Sequence, residues 1–331
     1  MILSPHPSHP QTVTADGVNI TTRNIPVSHG AVHGIDGVLV VPTASVAQIA
    51  FSRADLTQFA SLLVQANLVN FITGMSTNHF TIFAPTDAAF AKLPAGALDA
   101  LKADPDKLED ILDYHVVLNT AFHGNQQDQN LKTANNLTVR INSYPIVHVV
   151  AVDGINITIR NLRVVDGYVQ GIDTILTPPV GNIVDIGTNK PEISTFESLI
   201  AQANLTNYFT SDHSTTIFAP NNDAFKKLSQ QTLDYLSSHP ADLAEVLKYH
   251  LVKQLSLYSI GMKHALTVPT SDQHKDNLMI LEDGSGGLKV NHASIVERDI
   301  GSVNGVVHVI DNLLIPVRVQ VAIADSGIVI G

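Results

Sequence analysis

The chain has 331 residues, a formal net charge of −11, 44% hydrophobic and 15% charged residues, and no cysteine. This balance belongs to globular domains with sizeable cores, and the missing cysteine excludes disulfides, thiolate metal sites and cysteine nucleophiles. An acidic chain with 5% aromatic residues, no Trp and no Lys/Arg block is a poor partner for nucleic acid or an anionic membrane surface, and no run of eighteen apolar residues offers a membrane-spanning helix.

The opening Met-Ile-Leu-Ser-Pro-His-Pro lacks the basic region and apolar stretch of a signal peptide. Proline-containing loops near residues 41–45 predict a boundary. Leu56, Phe59, Leu62, Leu63, Ala66 and Val69 recur at helical spacing, so residues 55–70 read as an amphipathic helix. Thr81-Ile82-Phe83-Ala84 is a short apolar run stopped by Pro85, a buried strand, and Thr86-Asp87 offers a helix cap before Ala88. Asp104, Asp106, Glu109 and Asp110 lack the glycine and closing Glu of a calcium loop, and read as the charged start of a helix that carries Leu108, Ile111, Leu112 and His115. The period then changes. Ile155, Ile157 and Ile159 alternate with Asn156, Thr158 and Arg160, a half-buried strand, and Val169 and Ile172 belong to another after a turn at Asp166-Gly167. Helices early and strands late argue for an α+β fold.

The whole pattern then recurs. FASLLVQANLVNFIT (59–73) matches FESLIAQANLTNYFT (196–210) at an offset of 137; TIFAPTDAAFAKL (81–93) matches TIFAPNNDAFKKL (216–228) at 135; LEDILDYHVV (108–117) matches LAEVLKYHLV (243–252), again at 135. A third copy is partial: DGVNITTRNIPVSHGAVHGID (16–36) matches DGINITIRNLRVVDGYVQGID (153–173) at 137. This is a domain repeat, too long for a solenoid. It predicts the C-terminal part of a unit at 1–43, complete units at 44–180 and 181–316, and a tail or linker at 317–331, read as a strand or the start of a linker. About 42 residues cannot bury such a core alone, so the missing two thirds are expected upstream of residue 1 or in another chain. Gly284-Ser285-Gly286-Gly287, between Glu282-Asp283 and Leu288-Lys289-Val290, reads as a hairpin turn.

TIFAPTDAAFAKL and TIFAPNNDAFKKL resemble the first signature box of fasciclin domains. GVVHVIDNLLIP resembles the second, with GAVHGIDGVLVVP and GYVQGIDTILTPP as variants, and Tyr114-His115 and Tyr249-His250 resemble the Tyr-His motif between the boxes. The resemblance covers about residues 12–316. It implies tandem domains, each of two twisted β-sheets with a helical group, in a secreted or extracellular protein of cell adhesion or matrix assembly, with a signal peptide upstream of this chain. It implies extracellular proteins or cell-surface receptors as partners, with self-association open, and neither a cofactor nor enzymatic activity. Carotenoid-binding relatives imply the alternative, a carrier of an apolar small molecule such as a carotenoid or lipid.

Four Asn-X-Thr sequons, at Asn19, Asn136, Asn156 and Asn204, are candidate glycosylation sites. Alternation along the strand places Asn156, and by repetition Asn19, on its polar side. The resemblance offers Tyr114, His115, Tyr249 and His250 as adhesion-motif candidates. His115 lies one helical turn after Ile111, which favours a core-facing ring held by hydrogen bonds. A second adhesion motif of the family, Glu-Pro-Asp-Ile-Met, has only a partial echo, Glu297-Arg298-Asp299-Ile300-Gly301. Asp36, Asp173 and Asp311 each follow an Ile near a unit's end, and their repetition beside a turn predicts bonds to backbone amides. The pairs His6/His9 and His29/His33 lack a third ligand, so no metal site is expected. No nucleophile elbow, phosphate-binding loop or His-Glu-x-x-His motif occurs.

Overall fold

The computed structural model describes residues 3–6, 9–15, 18–39, 41–69, 79–122, 128–144, 149–165, 167–210, 214–262, 265–271 and 276–330. The chain divides into two compact units, Met1–Pro178 and Pro179–Gly331. The first opens with an antiparallel sheet in chain order, β1 (Leu3–His6), β2 (His9–Ala15), β3 (Val18–Val27) and β4 (Gly30–Ile35). Helices Val46–Ser52 and Thr57–Gln65 follow, then β5 (Phe80–Pro85), helices Asp87–Phe90, Ala97–Lys102 and Pro105–Tyr114, and six strands: β6 (Val116–Val117), β7 (Gln129–Lys132), β8 (Thr138–Tyr144), β9 (Val149–Val152), β10 (Ile155–Val164) and β11 (Gly167–Ile172). Their order is β6-β5-β11-β10-β9-β8-β7. The long strand β10 belongs to two sheets: Ile155 and Asn156 pair with β9, while residues 157–164 pair with β11.

The second unit repeats this plan. Helices Ile183–Asn189, Ser194–Gln202 and Thr206–Thr210 precede β12 (Thr215–Pro220), and helices Asn222–Lys226, Gln230–Ser238 and Pro240–Tyr249 precede β13 (Leu251–Lys253). Strands β14 (Leu266–Pro269), β15 (Asn277–Glu282), β16 (Leu288–Val290), β17 (Ala293–Ser302) and β18 (Gly305–Ile310) complete a sheet of order β13-β12-β18-β17-β16-β15-β14. The expected hairpin turn is present between β15 and β16, where Asp283 Oδ1 accepts from the amides of Ser285 (3.0 Å) and Gly287 (2.7 Å).

The first box explains itself residue by residue. β5 and β12 are buried along their whole length, each beside a parallel neighbour, and strands covered on both faces read as continuous apolar runs. Ile82 and Ala84 enter one core with Phe59, Leu62 and Leu112, while Phe83 enters the other with Phe122, Ile141 and Ile157. The box threonine holds a distant loop: Thr81 Oγ1 donates to Thr120 O and accepts from Phe122 N, and Thr216 Oγ1 does the same with Leu255 O and Leu257 N. Thr86 caps its own helix at Ala89 N, as Asn221 does at Ala224 N. The next residue reaches back to an earlier helix, Asp87 accepting from Gln58 N at 2.9 Å and Asn222 from Thr195 N at 3.0 Å. Unpaired amides at helix starts explain why oxygen-bearing side chains stand at both positions.

Residues 317–331 are read above as a strand or the start of a linker; the strand is not formed, and the segment opens with a helix, Val317–Asp325. Val319 and Ile323, one turn apart, are fully buried in the core of the second unit. Arg318 reaches Asp242 and Glu245, both at 2.8 Å, on the helix Pro240–Tyr249. A single apolar stripe over two turns is short enough to resemble a strand in sequence, and only the groove it fills distinguishes the two.

Candidate functional site

The Tyr-His pairs end helices Pro105–Tyr114 and Pro240–Tyr249, and they are buried in both units. Leu176 N donates to His115 Nε2 at 3.0 Å, so that nitrogen is unprotonated and Nδ1–H donates to Ile111 O at 2.8 Å. His250 repeats the arrangement, accepting from Leu314 N at 3.0 Å and donating to Val246 O at 2.7 Å. Burial pushes both imidazoles down to about 4, against the smaller opposing effect of the carbonyl each one bonds. Each histidine fastens the end of the second box to the last turn of the helix that it follows.

The tyrosines fasten the same helices to later strands, at β8 and the β9–β10 turn in the first unit and at β15 and the β16–β17 turn in the second. Tyr114 donates to Thr138 O (3.1 Å) and Asp153 Oδ2 (2.7 Å). Tyr249 donates to Asn277 O (3.2 Å) and accepts from Asn291 Nδ2 (3.1 Å). All four side chains are buried, from 0% to 5% exposed.

The echo at residues 297–301 is also engaged within the unit. Asp299 has a left-handed backbone (φ 59°) at a bulge of β17, and its carboxylate accepts from Ser259 N and Oγ. Glu297 pairs with Lys190 at 2.7 Å, and Arg298 donates to Gly286 O. The amide of Asp299 donates to Nδ1 of buried His308, whose Nε2–H therefore donates to Leu257 O at 2.9 Å. Burial lowers the His308 pKa, opposed by Asp299. The first unit builds the same joint with Gln170, which accepts from Asn161 N and donates to Phe122 O, both at 2.8 Å. Sequence reasoning singled out the loop and missed its partner; aligning the repeats at residues 33, 170 and 308, all polar within an apolar strand, is the signal that finds it.

The aspartates near the unit ends divide. Asp311 Oδ1 accepts from Ser294 N at 2.7 Å, as a turn aspartate should, and Asp311 lies 3.5 Å from Lys227; Asp173 pairs with Lys92 at 3.2 Å. Asp36 is exposed. Asp104 caps its helix at Lys107 N. Among the described residues, no group of three or more His, Cys, Asp or Glu is placed to hold a metal; the side chains of His6 and His9 and residue Asp166 lie outside them.

Of the sequons, Asn136 and Asn204 are exposed at turns, each with a left-handed backbone (φ 62° and 54°) that projects the side chain from the chain's path. Asn156 is half-buried, in β10 where it pairs with Ala151 of β9. Thr158 is exposed and donates to Gly171 O. Asn19 lies in β3 opposite Thr14, and its side chain is outside the described residues. An apolar cavity in the second unit, lined by Val184, Ile193, Phe196, Ile200, Ile217 and Val307, holds about 20 Å³. That is room for about one water molecule, against the roughly 300 Å³ at which small-molecule pockets begin, so a carotenoid does not fit it.

The family model described as fasciclin domain matches residues 54–178 and 191–316. The transforming growth factor-beta-induced protein ig-h3 of Sus scrofa is 29% identical over 243 residues, 72% of this chain and 35% of that protein. Human periostin is 25% identical over 314 residues, 92% of this chain and 35% of that protein. The chain thus spans about a third of the length of these relatives. Among solved structures, a FAS1 domain pair from the insect cell adhesion molecule fasciclin I aligns with a TM-score of 0.38 and 18% identity, over 80% of this chain and 98% of that one.

Proposed function

The chain belongs to the fasciclin domain family, and we propose that it is an extracellular adhesion or matrix-assembly protein that binds its partners through the outer surfaces of its tandem domains. The observation that carries this reading is the presence of two complete fasciclin units in one chain, each with its family motifs buried as internal fasteners. Recognition is thereby left to the exposed faces, and paired weak contacts on one chain gain avidity. Exposed sequons at Asn136 and Asn204 suit a secreted protein.

Coating a surface with the full chain should support cell attachment that soluble chain competes away. Absence of attachment, together with no retention of matrix proteins, overturns the reading. Tyr249→Phe removes a buried hydroxyl with two hydrogen bonds, so it should cost about 1–2 kcal/mol in urea unfolding and leave attachment unchanged. Loss of attachment in a folded variant would restore the Tyr-His motif as a contact site. Secreted from a eukaryotic host, the chain should carry glycans at Asn136 and Asn204 and little at Asn156. Glycosidase treatment with mass measurement, repeated on Asn136→Gln and Asn204→Gln, checks each site separately.

A further inference from the structure

The outer face of the β14–β17 strands in the second unit carries apolar side chains that the fold itself does not ask for. Leu278, Ile280, Val290 and Ile295 are buried, and the residues that alternate with them face water. Met279 and Leu281 are 50% and 37% exposed, and Val296 is 56% exposed. The register joins them into one patch: Thr267 lies opposite Met279, and Lys289 lies between Leu281 and Ser294, one alternation before Val296. In the first unit the same register holds Arg140, Asn142 and Thr158, with Ala151 in the place of Lys289. Polar residues therefore satisfy the same strands, and there Arg140 and Asn142 are only 3% and 4% exposed. One repeat covers a polar face and the other leaves an apolar face open, the reverse of what solvation alone selects.

A second apolar stripe lies on the same unit. Helix Val317–Asp325 buries Val319 and Ile323, while Val317 and Val321, one turn apart, are 66% and 53% exposed and lead on to exposed Ala324. The two surfaces differ in charge. The sheet face holds the exposed cation Lys289. Of the acids beside it, Asp283 turns its carboxylate to the amides of Ser285 and Gly287, and Glu282 stands in the opposite register, across from buried Leu288. The helix stripe ends at exposed Asp325, where the negative end of the helix dipole adds to the carboxylate. Arg318, at the other end, is already taken by Asp242 and Glu245. A helix laid on a sheet is one of the stable ways for two apolar faces to close on each other.

We propose that helix Val317–Asp325 of one copy of the chain docks on the β14–β17 face of the next, with Val317 and Val321 against Met279, Leu281 and Val296, and Asp325 against Lys289. This contact deepens the matrix-assembly reading given above, on which it rests. Donor and acceptor are different surfaces, so each added copy leaves one of each open, and the contact propagates into open chains instead of closing as a dimer. A helix of this length buries little area, so association is weak and is read by sedimentation of the full chain from about 10 µM to about 1 mM. The average mass should rise with concentration past that of a dimer. Met279→Arg with Leu281→Asn installs the first unit's residues on the sheet face, and Val321→Lys changes an exposed helix position. Each variant should weaken self-association by at least about tenfold while its urea unfolding stays near the parent's. Mixed together, the two variants should stop at a heterodimer, since one keeps its helix and the other its sheet face. Association that survives Val321→Lys, or that stops at a dimer of the parent chain, overturns the helix as occupant. A mass that stays at the monomer's throughout overturns the docking face. Cell attachment is scored separately, so a monomeric chain that still supports attachment sinks this contact and leaves the adhesion reading standing.

Discussion

Ending the chain at Pro316 should unfold the second unit while the first stays folded. Val319 and Ile323 are both fully buried in that unit's core, and burying one such side chain contributes about 1.5–3 kcal/mol. Their loss together removes about 3–6 kcal/mol, and it also strips Arg318 from Asp242 and Glu245, which are themselves buried. A domain of this size is stable by about 5–15 kcal/mol, so the loss takes a large share of that stability, and all of it toward the lower end of the range. Urea unfolding followed by hydrogen exchange should show protection surviving in residues 79–172 and lost in residues 215–310. Arg318→Met should cost less than the deletion, since it keeps Val319 and Ile323 in the core and removes only the half-exposed cation that Asp242 and Glu245 share. If the shortened chain unfolds like the parent, the helix is an ornament rather than part of the fold.

Acidification should unfold the second unit before the first, and His308→Gln should delay it. A buried histidine held neutral has its folded pKa below the ordinary value of 6.5. Its contribution is therefore fully present above pH 6.5 and is lost as pH falls toward the folded value, because the unfolded chain binds the extra proton. For His115 and His250, each pushed down to about 4, that loss is about 3 kcal/mol apiece between pH 6.5 and 4. The second unit adds His308, lowered in the same direction.

The first unit has an opposing group. Burial, with Glu109 and Asp110 nearby, raises Asp113 to about 6. A raised carboxylate favours the folded state on the acid side, so Asp113 partly offsets His115, by an amount that its partial exposure reduces. His308→Gln installs the residue that the first unit uses at the equivalent joint, where Gln170 makes both hydrogen bonds without titrating. The variant should retain stability at pH 7 and shift the second unit's acid midpoint downward. An unchanged midpoint would show that His308 is not buried neutral in the folded protein.

Much of this was written in local pattern. The helical spacing of Phe59, Leu62 and Leu63 survives as the buried face of Thr57–Gln65, with Leu56 at its N-cap. The apolar run after Thr81 is a buried strand stopped at its proline, and Thr86 is the cap its position suggested. The core-facing ring of His115 was also legible, since its Nδ1 bonds the carbonyl one helical turn back, at Ile111. All of these are short-range relations, in which neighbours along the chain are neighbours in space.

What the sequence by itself determined is therefore the repeat, its order of boxes, the α+β class and the local form of the helices, strands and turns just named, because side-chain period and capping depend on residues within one or two turns of each other. Only the tertiary structure decided what meets what. It put Leu176 N on His115 from 61 residues away and Gln170 on the Asn161 bulge. It left Asn156 half-covered on an interior strand, and turned residues 317–325 into a helix by offering Val319 and Ile323 a groove. Burial and long-range pairing are properties of the assembled sheets and helices, and a strand's own alternation cannot say whether a neighbour will stand on its outer face or its free edge.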